Sequence, residues 1–229
     1  MSERKVQPAA TRVRASRLRW AASGATAFVV FYLVHRLLQG TGAADSGPAA
    51  VADSVADRQG VLLMSEIALG AALIACFVFV APVVAVLLGD GASVTAIAFG
   101  LAGGVFIAMG LVSTAAETAL FAADRSDLSA IAVLDGLQAR IPNVLAAAAL
   151  AACLAPAFLG RHLAWRWLGY VSIVAAVVFA LGFVFEVLGS APESNGSIFG
   201  VAAFIAWMAL VGSALWVSSA RAPASPTEA

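Results

Sequence analysis

Residues 61–88 read VLLMSEIALGAALIACFVFVAPVVAVLL, an apolar run in which Glu66 carries the one charged side chain. At 1.5 Å per residue, a helix over this run would be roughly 42 Å long, more than the ~30 Å hydrocarbon core of a bilayer. Such a run is typical of a transmembrane helix. We therefore predict a membrane-spanning helix that tilts, kinks at Pro82 or projects beyond the membrane.

The rest of the chain repeats this pattern, since five further apolar segments are each about 20 residues long. Hydrophobic residues make up 62% of the chain and charged residues 11%, roughly half the charged share of a globular protein. We predict an all-α polytopic membrane protein, a six-transmembrane-helix bundle with its membrane domain over 18–220. The helices are predicted at about 18–38, 61–88, 94–123, 141–160, 167–189 and 198–219.

The segments outside these helices are predicted from their composition. A basic leader covers 1–17, and the small, acidic stretch 39–60 is expected to form an outer loop. Apolar residues recur at helical spacing over 128–140, which predicts a short interfacial helix there. Residues 221–229 are rich in Ala, Pro and polar side chains, and we expect them to form a disordered tail.

The distribution of basic residues predicts the orientation of the bundle, because Lys and Arg accumulate on the cytoplasmic side of membrane proteins. With the leader inside, nine of the 13 basic residues lie inside. The four outside are Arg36, Arg58, Arg125 and Arg140. We therefore predict an N-in, C-in protein of the plasma membrane. A bacterial inner membrane is expected because an alanine-rich chain with one Lys and twelve Arg is typical of high-GC bacteria.

Several functions are disfavoured by the motifs that the sequence lacks. The basic leader has no aromatic interleaving, so no nucleic-acid partner is expected. His35 and His162 are predicted at opposite membrane ends, which excludes a bis-histidine haem bundle. Neither an HExxH nor a P-loop motif is present, and no nucleophilic serine is predicted to have a histidine at a plausible depth, which argues against an intramembrane protease. An enzyme is thus the least favoured interpretation, and we expect no cofactor.

Three glutamates lie within apolar spans, where a charged side chain is energetically costly and points to function. Glu66, Glu117 and Glu186 belong to helices that alternate in direction, yet all three map to the outer end of the bundle. His35 and Arg36 lie at the same level in the first helix. We therefore predict an outward-facing acidic pocket that binds a proton, a hard cation or the amine of a small ligand.

Smaller residues are predicted to complete this pocket and the bundle around it. Ser113 and Thr114 precede the second of these glutamates by four and three residues, so they share its helical face. Gly100 and Gly104 have the GxxxG spacing that allows another helix to approach closely, which favours tight packing inside the bundle over the alternative of a dimer contact. An alternative stays open, in which each glutamate reaches headgroups and water, or Arg36 pairs with one and joins helices.

The layout resembles a family of bacterial six-helix membrane proteins of about this length and of uncharacterised function. The resemblance rests on the basic entry to the first helix (Arg17-Leu18-Arg19-Trp20-Ala21), on the acidic outer loop and on a Pro-x-x-x-Ala stretch. That stretch is followed by a short basic loop into Arg166-Trp167-Leu168-Gly169-Tyr170. The resemblance implies an architecture and no particular activity.

Two classes of function follow from these patterns. The first is a transporter-like or small-ligand-binding protein of the lipid bilayer that acts on a cation, a proton or a small amine. A variant of it resembles the six-helix substrate-capture subunits of energy-coupling vitamin transporters, and it would need a membrane protein partner, reached through surfaces such as the Gly100 region. The alternative is a non-transporting structural or regulatory subunit or sensor, in which the polar cluster only packs helices.

Overall fold

The fold is given by a computed structural model that describes residues 7–39, 48–124, 126–139, 143–187 and 195–221. All regular structure in these ranges is helical. The helices in chain order are α1 (Gln7–Gln39), α2 (Pro48–Gly89), α3 (Ser93–Ala122), α4 (Leu128–Ala139), α5 (Asn143–Leu159), α6 (Trp167–Val187) and α7 (Asn195–Ala220).

Five of these helices are long and apolar enough to cross a membrane. In the described part of the chain, the apolar spans are Ala10–Gln39, Val55–Gly89, Ser93–Ala122, Trp167–Val184 and Gly200–Ala220. Helix α5 is also apolar but shorter, with 17 residues. The predicted all-helical membrane protein is confirmed at this level, whereas the count of six spans and the orientation stay predictions.

The helices that carry these spans pack with α5 as a closed ring. α1 packs against α2 and α7, α3 packs against α2 and α5, and α6 packs against α5 and α7, while α4 lies outside the ring against α2 and α3. The ring has two ends of different character. We call the end with Gln39, Glu66 and Glu117 the acidic end, and the end with Arg14 and Asp90 the basic end.

Small residues bring α1 and α2 close together. A Cβ atom added at Gly24 would lie 2.5 Å from the backbone nitrogen of Phe79 and 2.8 Å from the carbonyl oxygen of Ala75. The alanines on either side of this contact, Ala21 and Ala25, are fully buried. Glycine and alanine on one face of α1 therefore let the two backbones meet, as small residues do in membrane bundles.

The packing of α3 on α2 corrects the predicted glycine strip. A Cβ added at Gly103 would lie 2.8 Å from the Val80 Cγ atoms, and one at Gly100 would lie 3.4 Å from Val84. Gly104, by contrast, is exposed and has open space where a Cβ would go. The rotation of α3 turns Gly103 towards α2, whereas within the described residues an added Cβ at Gly104 would meet no atom within 4 Å.

Helix α2 begins well before its predicted start. Residues 48–60, expected in the outer loop, are helical. Proline suits the first position of a helix, where Pro48 stands, and alanine has the highest helix propensity among the residues that follow. Ala52 also packs with Leu120 of α3 and Ile131 of α4 in a small second core. The predicted outer loop is thus replaced over these residues by a helical extension.

The other differences from the predicted boundaries lie mainly at the chain ends. Helix α1 begins at Gln7, so the described part of the basic leader is continuous with the first span. Helix α2 runs through Pro82 without ending. Residues 128–139 of the predicted interfacial helix are helical. The predicted disordered tail lies almost entirely outside the described residues, which end at Arg221.

Candidate functional site

The acidic end lies about one hydrocarbon thickness away from the basic end. His35 follows Arg17 by 18 residues on α1, a distance of roughly 27 Å along the helix. Arg17 donates to the Ala85 carbonyl oxygen of α2 at 3.1 Å. Glu66 precedes Ala85 by 19 residues, or roughly 28 Å. Since the hydrocarbon core is ~30 Å thick, His35 and Glu66 lie near one boundary when Arg17 lies at the other.

His35 joins α1 to α2 at Ser65, and both side chains are buried. The His35 Nδ1 atom lies 3.1 Å from the Ser65 carbonyl oxygen and 2.9 Å from Ser65 Oγ. The Ser65 hydroxyl donates in turn to the His35 carbonyl oxygen at 3.1 Å. With Nδ1 protonated, all of these groups are satisfied. The pair therefore fastens the end of α1 to α2.

The sequence did not predict this contact between a serine and a histidine. The arrangement is nevertheless that of a structural tie. The Ser65 hydroxyl directs its proton to a backbone carbonyl, and its residue has no exposed surface. A nucleophilic serine instead gives its proton to the histidine and meets its substrate.

The Glu66 carboxyl is buried, with 6% of the residue exposed. Apart from the neighbouring Glu117 carboxyl, no group of the described residues lies within hydrogen-bonding reach of its oxygens. His35 Nδ1 lies 4.0 Å from Glu66 Oε1, and the Glu117 carboxyl lies close enough to interact with that of Glu66. Because an ionised carboxylate without donors is costly to bury, Glu66 requires a proton or a cation.

Glu117 is held by a residue that the sequence reasoning missed. Gln39 at the end of α1 donates from Nε2 to Glu117 Oε2 at 3.0 Å, and its Oε1 accepts from Arg36 at 2.9 Å. Arg58 of α2 donates to the Leu38 and Gln39 carbonyl oxygens at 2.8 and 3.1 Å. Gln39 thus links α1, α2 and α3. The sequence feature that could have indicated Gln39 as a site residue is its position one turn after His35 and Arg36.

The remaining predicted site residues differ in their surroundings. Ser113 is buried one turn before Glu117 on α3. The Thr114 hydroxyl donates to the Gly110 carbonyl oxygen of its own helix at 3.0 Å. Glu186 belongs to α6, but its side chain lies outside the described residues. The predicted residues that the structure brings together are Glu66, Glu117, His35 and Arg36.

Aromatic rings fill the bundle between the acidic site and the basic end. Tyr32, one turn before His35, stacks on Phe28 with ring centroids 5.4 Å apart. Phe28 packs against Phe106 of α3 and Phe204 of α7 at 6.0 and 5.5 Å. Phe179 of α6 meets Phe204 at 5.7 Å. Four helices therefore contribute to this aromatic cluster, and on α1 it lies between the levels of His35 and Arg14.

A cavity of about 220 Å³ lies at the acidic end between α2, α3 and α4. Its lining is mostly small or apolar and includes Ala52, Ala56, Gln59, Leu120 and Ile131. Gln59 stands two helical turns before Glu66, and Leu120 stands one turn after Glu117. The cavity therefore lies on the helical faces that carry the two carboxyls.

The basic end is tied together by polar contacts of a different kind. Arg14 of α1 pairs with Asp90 in the turn after α2 at 3.0 Å and also donates to the His162 carbonyl oxygen. Arg221 lies over the Trp165 ring, 5.3 Å from its centroid. Arginine and tryptophan in these positions are typical of membrane interfaces.

No protein family, curated protein or solved structure matches the chain. In the part of the chain that the structure describes, no group of three or more His, Cys, Asp or Glu side chains could hold a metal ion. What the acidic end can bind therefore follows from its own geometry.

Proposed function

We propose that the chain is a six-span protein of a bacterial plasma membrane, with both termini inside. Helix α5 would supply the sixth span, since 17 residues are at the lower limit for crossing the hydrocarbon core. The basic end would face the cytoplasm, in keeping with the arginines that gather there. The acidic end would then face outward.

We further propose that the acidic end binds a proton or a small, singly charged cation between Glu66 and Glu117, in a transporter-like role. One observation carries this proposal: Glu66 is buried, and apart from the neighbouring Glu117 carboxyl no group of the described residues reaches its oxygens. A second carboxyl, that of Glu117, lies beside it. A proton shared by the two groups, or a cation between them, would satisfy both oxygens.

The surroundings of the pair support access from the acidic end. The aromatic cluster around Phe28 and Phe204 lies on the side of the basic end. Glu66 and Glu117 also lie near one boundary of the apolar layer. A site in this position suits the capture of a cation from outside.

The structural alternative has its own support. Gln39 holds Glu117, and Ser65 holds His35, so each contact fastens α1 to a neighbouring helix. In that interpretation the polar cluster only packs helices. Glu66 is the residue that separates the two interpretations, because none of these contacts uses its carboxyl oxygens.

The test uses the full chain in lipid nanodiscs and compares the wild type with Glu66→Gln. We expect sodium or methylammonium ions to raise the thermal stability of the wild type and to leave that of Glu66→Gln unchanged. Asp53→Asn is the matched control, since Asp53 is an exposed carboxylate on the same helix. The proton is assessed separately by the infrared band of a protonated carboxyl. If Glu66→Gln keeps both the cation response and this band, the structural alternative is favoured.

A further inference from the structure

We infer that the basic end binds the headgroup of an anionic phospholipid in the leaflet around it. The contact surface is the segment over 160–166 between α5 and α6, which we call the arginine loop, together with Arg14 of α1. The lipid site is independent of the cation site, which lies at the other end of the bundle.

The described part of the basic end has a large excess of positive charge. It holds seven arginines and one acidic residue, Asp90. The arginines are Arg12, Arg14, Arg17 and Arg19 on α1, Arg161 and Arg166 in the arginine loop, and Arg221 after α7. Arginines near a membrane surface attract anionic lipids. The partner that complements this end by charge is therefore a phospholipid whose headgroup is negative.

Arg161 stands at a backbone position that favours glycine. Its φ of 62° is the one positive φ of a non-glycine residue in the described part of the chain. The Arg161 amide donates to the Phe158 carbonyl oxygen at 3.0 Å, and the His162 amide donates to that of Ala157 at 2.9 Å. These two bonds form a Schellman motif, in which glycine usually takes the residue with positive φ. A residue with a Cβ is strained there, and such strain is typical of functional positions. The strain therefore points to a role for the Arg161 side chain.

The guanidinium groups of the arginine loop are accessible to a ligand. Arg161 and Arg166 are exposed, and neither makes a hydrogen bond or an ion pair with another described residue. Arg14 donates from Nη2 to Asp90 and to the carbonyl oxygen of His162, the residue after Arg161. The other donors of the Arg14 guanidinium have no partner in the described ranges. Since a guanidinium can bind two phosphate oxygens at once, Arg14 and Arg161 offer the donors that a lipid phosphate requires.

Tryptophans indicate the depth of the arginine loop in the membrane. Trp165 and Trp167 are exposed, and their rings stack with centroids 6.2 Å apart. The Arg221 guanidinium lies 5.3 Å from the Trp165 centroid. Because exposed tryptophans gather at the level of the lipid headgroups, Arg166, which stands between the two, lies at that level as well. Leu163 of the same loop is buried and anchors it to the bundle.

The first experiment measures which lipid the full chain retains. The protein is placed in nanodiscs of equal phosphatidylglycerol and phosphatidylcholine, and the lipids that stay bound are counted by native mass spectrometry. We expect the wild type to retain phosphatidylglycerol in preference to phosphatidylcholine, whose choline group brings a positive charge to the arginines. Arg161→Asn removes one charge, and asparagine tolerates a positive φ. This variant should reduce the preference about fivefold.

Arg19→Asn is the matched control for the loss of one charge. Arg19 is also an exposed arginine of the basic end. It follows Arg14 by five residues, however, so it faces a different side of α1. Its replacement should reduce the preference for phosphatidylglycerol far less than Arg161→Asn does.

The second experiment separates lipid binding from the stability of the end of α5. Arg161→Gly introduces the residue that the Schellman motif favours, so in nanodiscs of phosphatidylcholine alone it should raise the thermal midpoint by about 2–4 °C. The same variant should lose the preference for phosphatidylglycerol. A lower midpoint in phosphatidylcholine would mean that the arginine side chain serves the helix end, and it would overturn the inference.

Three results of the first experiment would also overturn the inference. The first is an equal lipid preference in the wild type and Arg161→Asn. The second is an equal loss in Arg161→Asn and Arg19→Asn, which would mean a general attraction to the arginine-rich end. The third is displacement of phosphatidylglycerol by inorganic phosphate, which would indicate a site for a soluble anion. None of these results involves Glu66, so the proposed function is judged by its own test.

Discussion

Gly24 sets the distance between α1 and α2, and Gly24→Ala tests how strongly the acidic site depends on that distance. The new Cβ would lie 2.5 Å from the Phe79 nitrogen and 2.8 Å from the Ala75 carbonyl oxygen, whereas ordinary contacts are 3.4–4 Å. Both neighbours are backbone atoms, so no side chain can rotate away. The helices must separate by about 1 Å, and overpacking of this kind typically costs about 1–3 kcal/mol.

Gly104→Ala is the control for this substitution. Gly104 lies at a mid-helix position of α3, but nothing lies within 4 Å of its added Cβ. Its replacement should leave stability unchanged or raise it by up to about 1 kcal/mol, because alanine is the better helix former. Both variants replace a glycine by alanine. Gly24→Ala should lower the stability, whereas Gly104→Ala should leave it unchanged or raise it.

The assay is reversible unfolding in mixed micelles by titration with dodecyl sulfate, followed by circular dichroism. Gly24→Ala should unfold at a lower detergent fraction than the wild type, and Gly104→Ala should not. His35 follows Gly24 by 11 residues, so hydrogen exchange around the His35–Ser65 contact should also rise. If Gly24→Ala is as stable as Gly104→Ala, the backbones of α1 and α2 do not meet closely at Gly24.

Three further predictions concern contacts outside the site. Trp207→Phe removes the 3.0 Å hydrogen bond to the buried Ser172 hydroxyl, and it should lower the free energy of unfolding in mixed micelles by about 1 kcal/mol. Arg14→Ala breaks the partly exposed pair with Asp90, so we expect a loss of at most about 1 kcal/mol that high salt reduces, measured by the same unfolding. The pKa of Asp127 is held below its ordinary value by the hydroxyl and backbone donors that cap α4, so the cap is stabilising above the unfolded pKa and is lost as pH falls through the folded one. Hydrogen exchange in α4, corrected for intrinsic rates, should therefore accelerate below about pH 4 in the wild type and should depend less on pH in Asp127→Asn.

Much of the fold could be predicted because membrane spans are recognised in a sequence by their length and their apolar composition. The run over 61–88 lies within α2, and all of the segment at 94–123 except its last residue lies within α3. The extension of α2 over 48–60 could not be predicted in this way, since its small and acidic residues have no apolar run. Its helical state depends on alanine propensity and on the contact of Ala52 with Leu120, which is a tertiary contact.

The sequence predicts at which end of the bundle the site residues lie. It does not predict how each helix is rotated about its own axis. Counting residues along alternating helices places Glu66 and Glu117 at one end of the bundle. Whether two carboxyls at one level face each other depends on how each helix turns about its axis. In an apolar span that turn is poorly specified by the sequence, because lipid-facing and buried positions are both apolar.

The same limitation explains the residues that were missed. Gln39 carries no charge and lies at the end of a span, where polar residues are common. Its residue type therefore does not mark it as part of a site. Ser65 resembles any small residue of a packed helix until its contact with His35 is seen. The reverse error occurred at Gly104, where a GxxxG spacing was present but the neighbouring Gly103 faces α2.

The most direct measurement of the central claim is an infrared difference spectrum between the wild type and Glu66→Gln, recorded with and without methylammonium. The account predicts a protonated-carboxyl band that is present in the wild type, absent in Glu66→Gln, unaffected by Asp53→Asn and lost when methylammonium displaces the proton. A wild-type spectrum that shows no such band and does not change with methylammonium would contradict the account, because it would mean that neither a proton nor a cation occupies the space between Glu66 and Glu117.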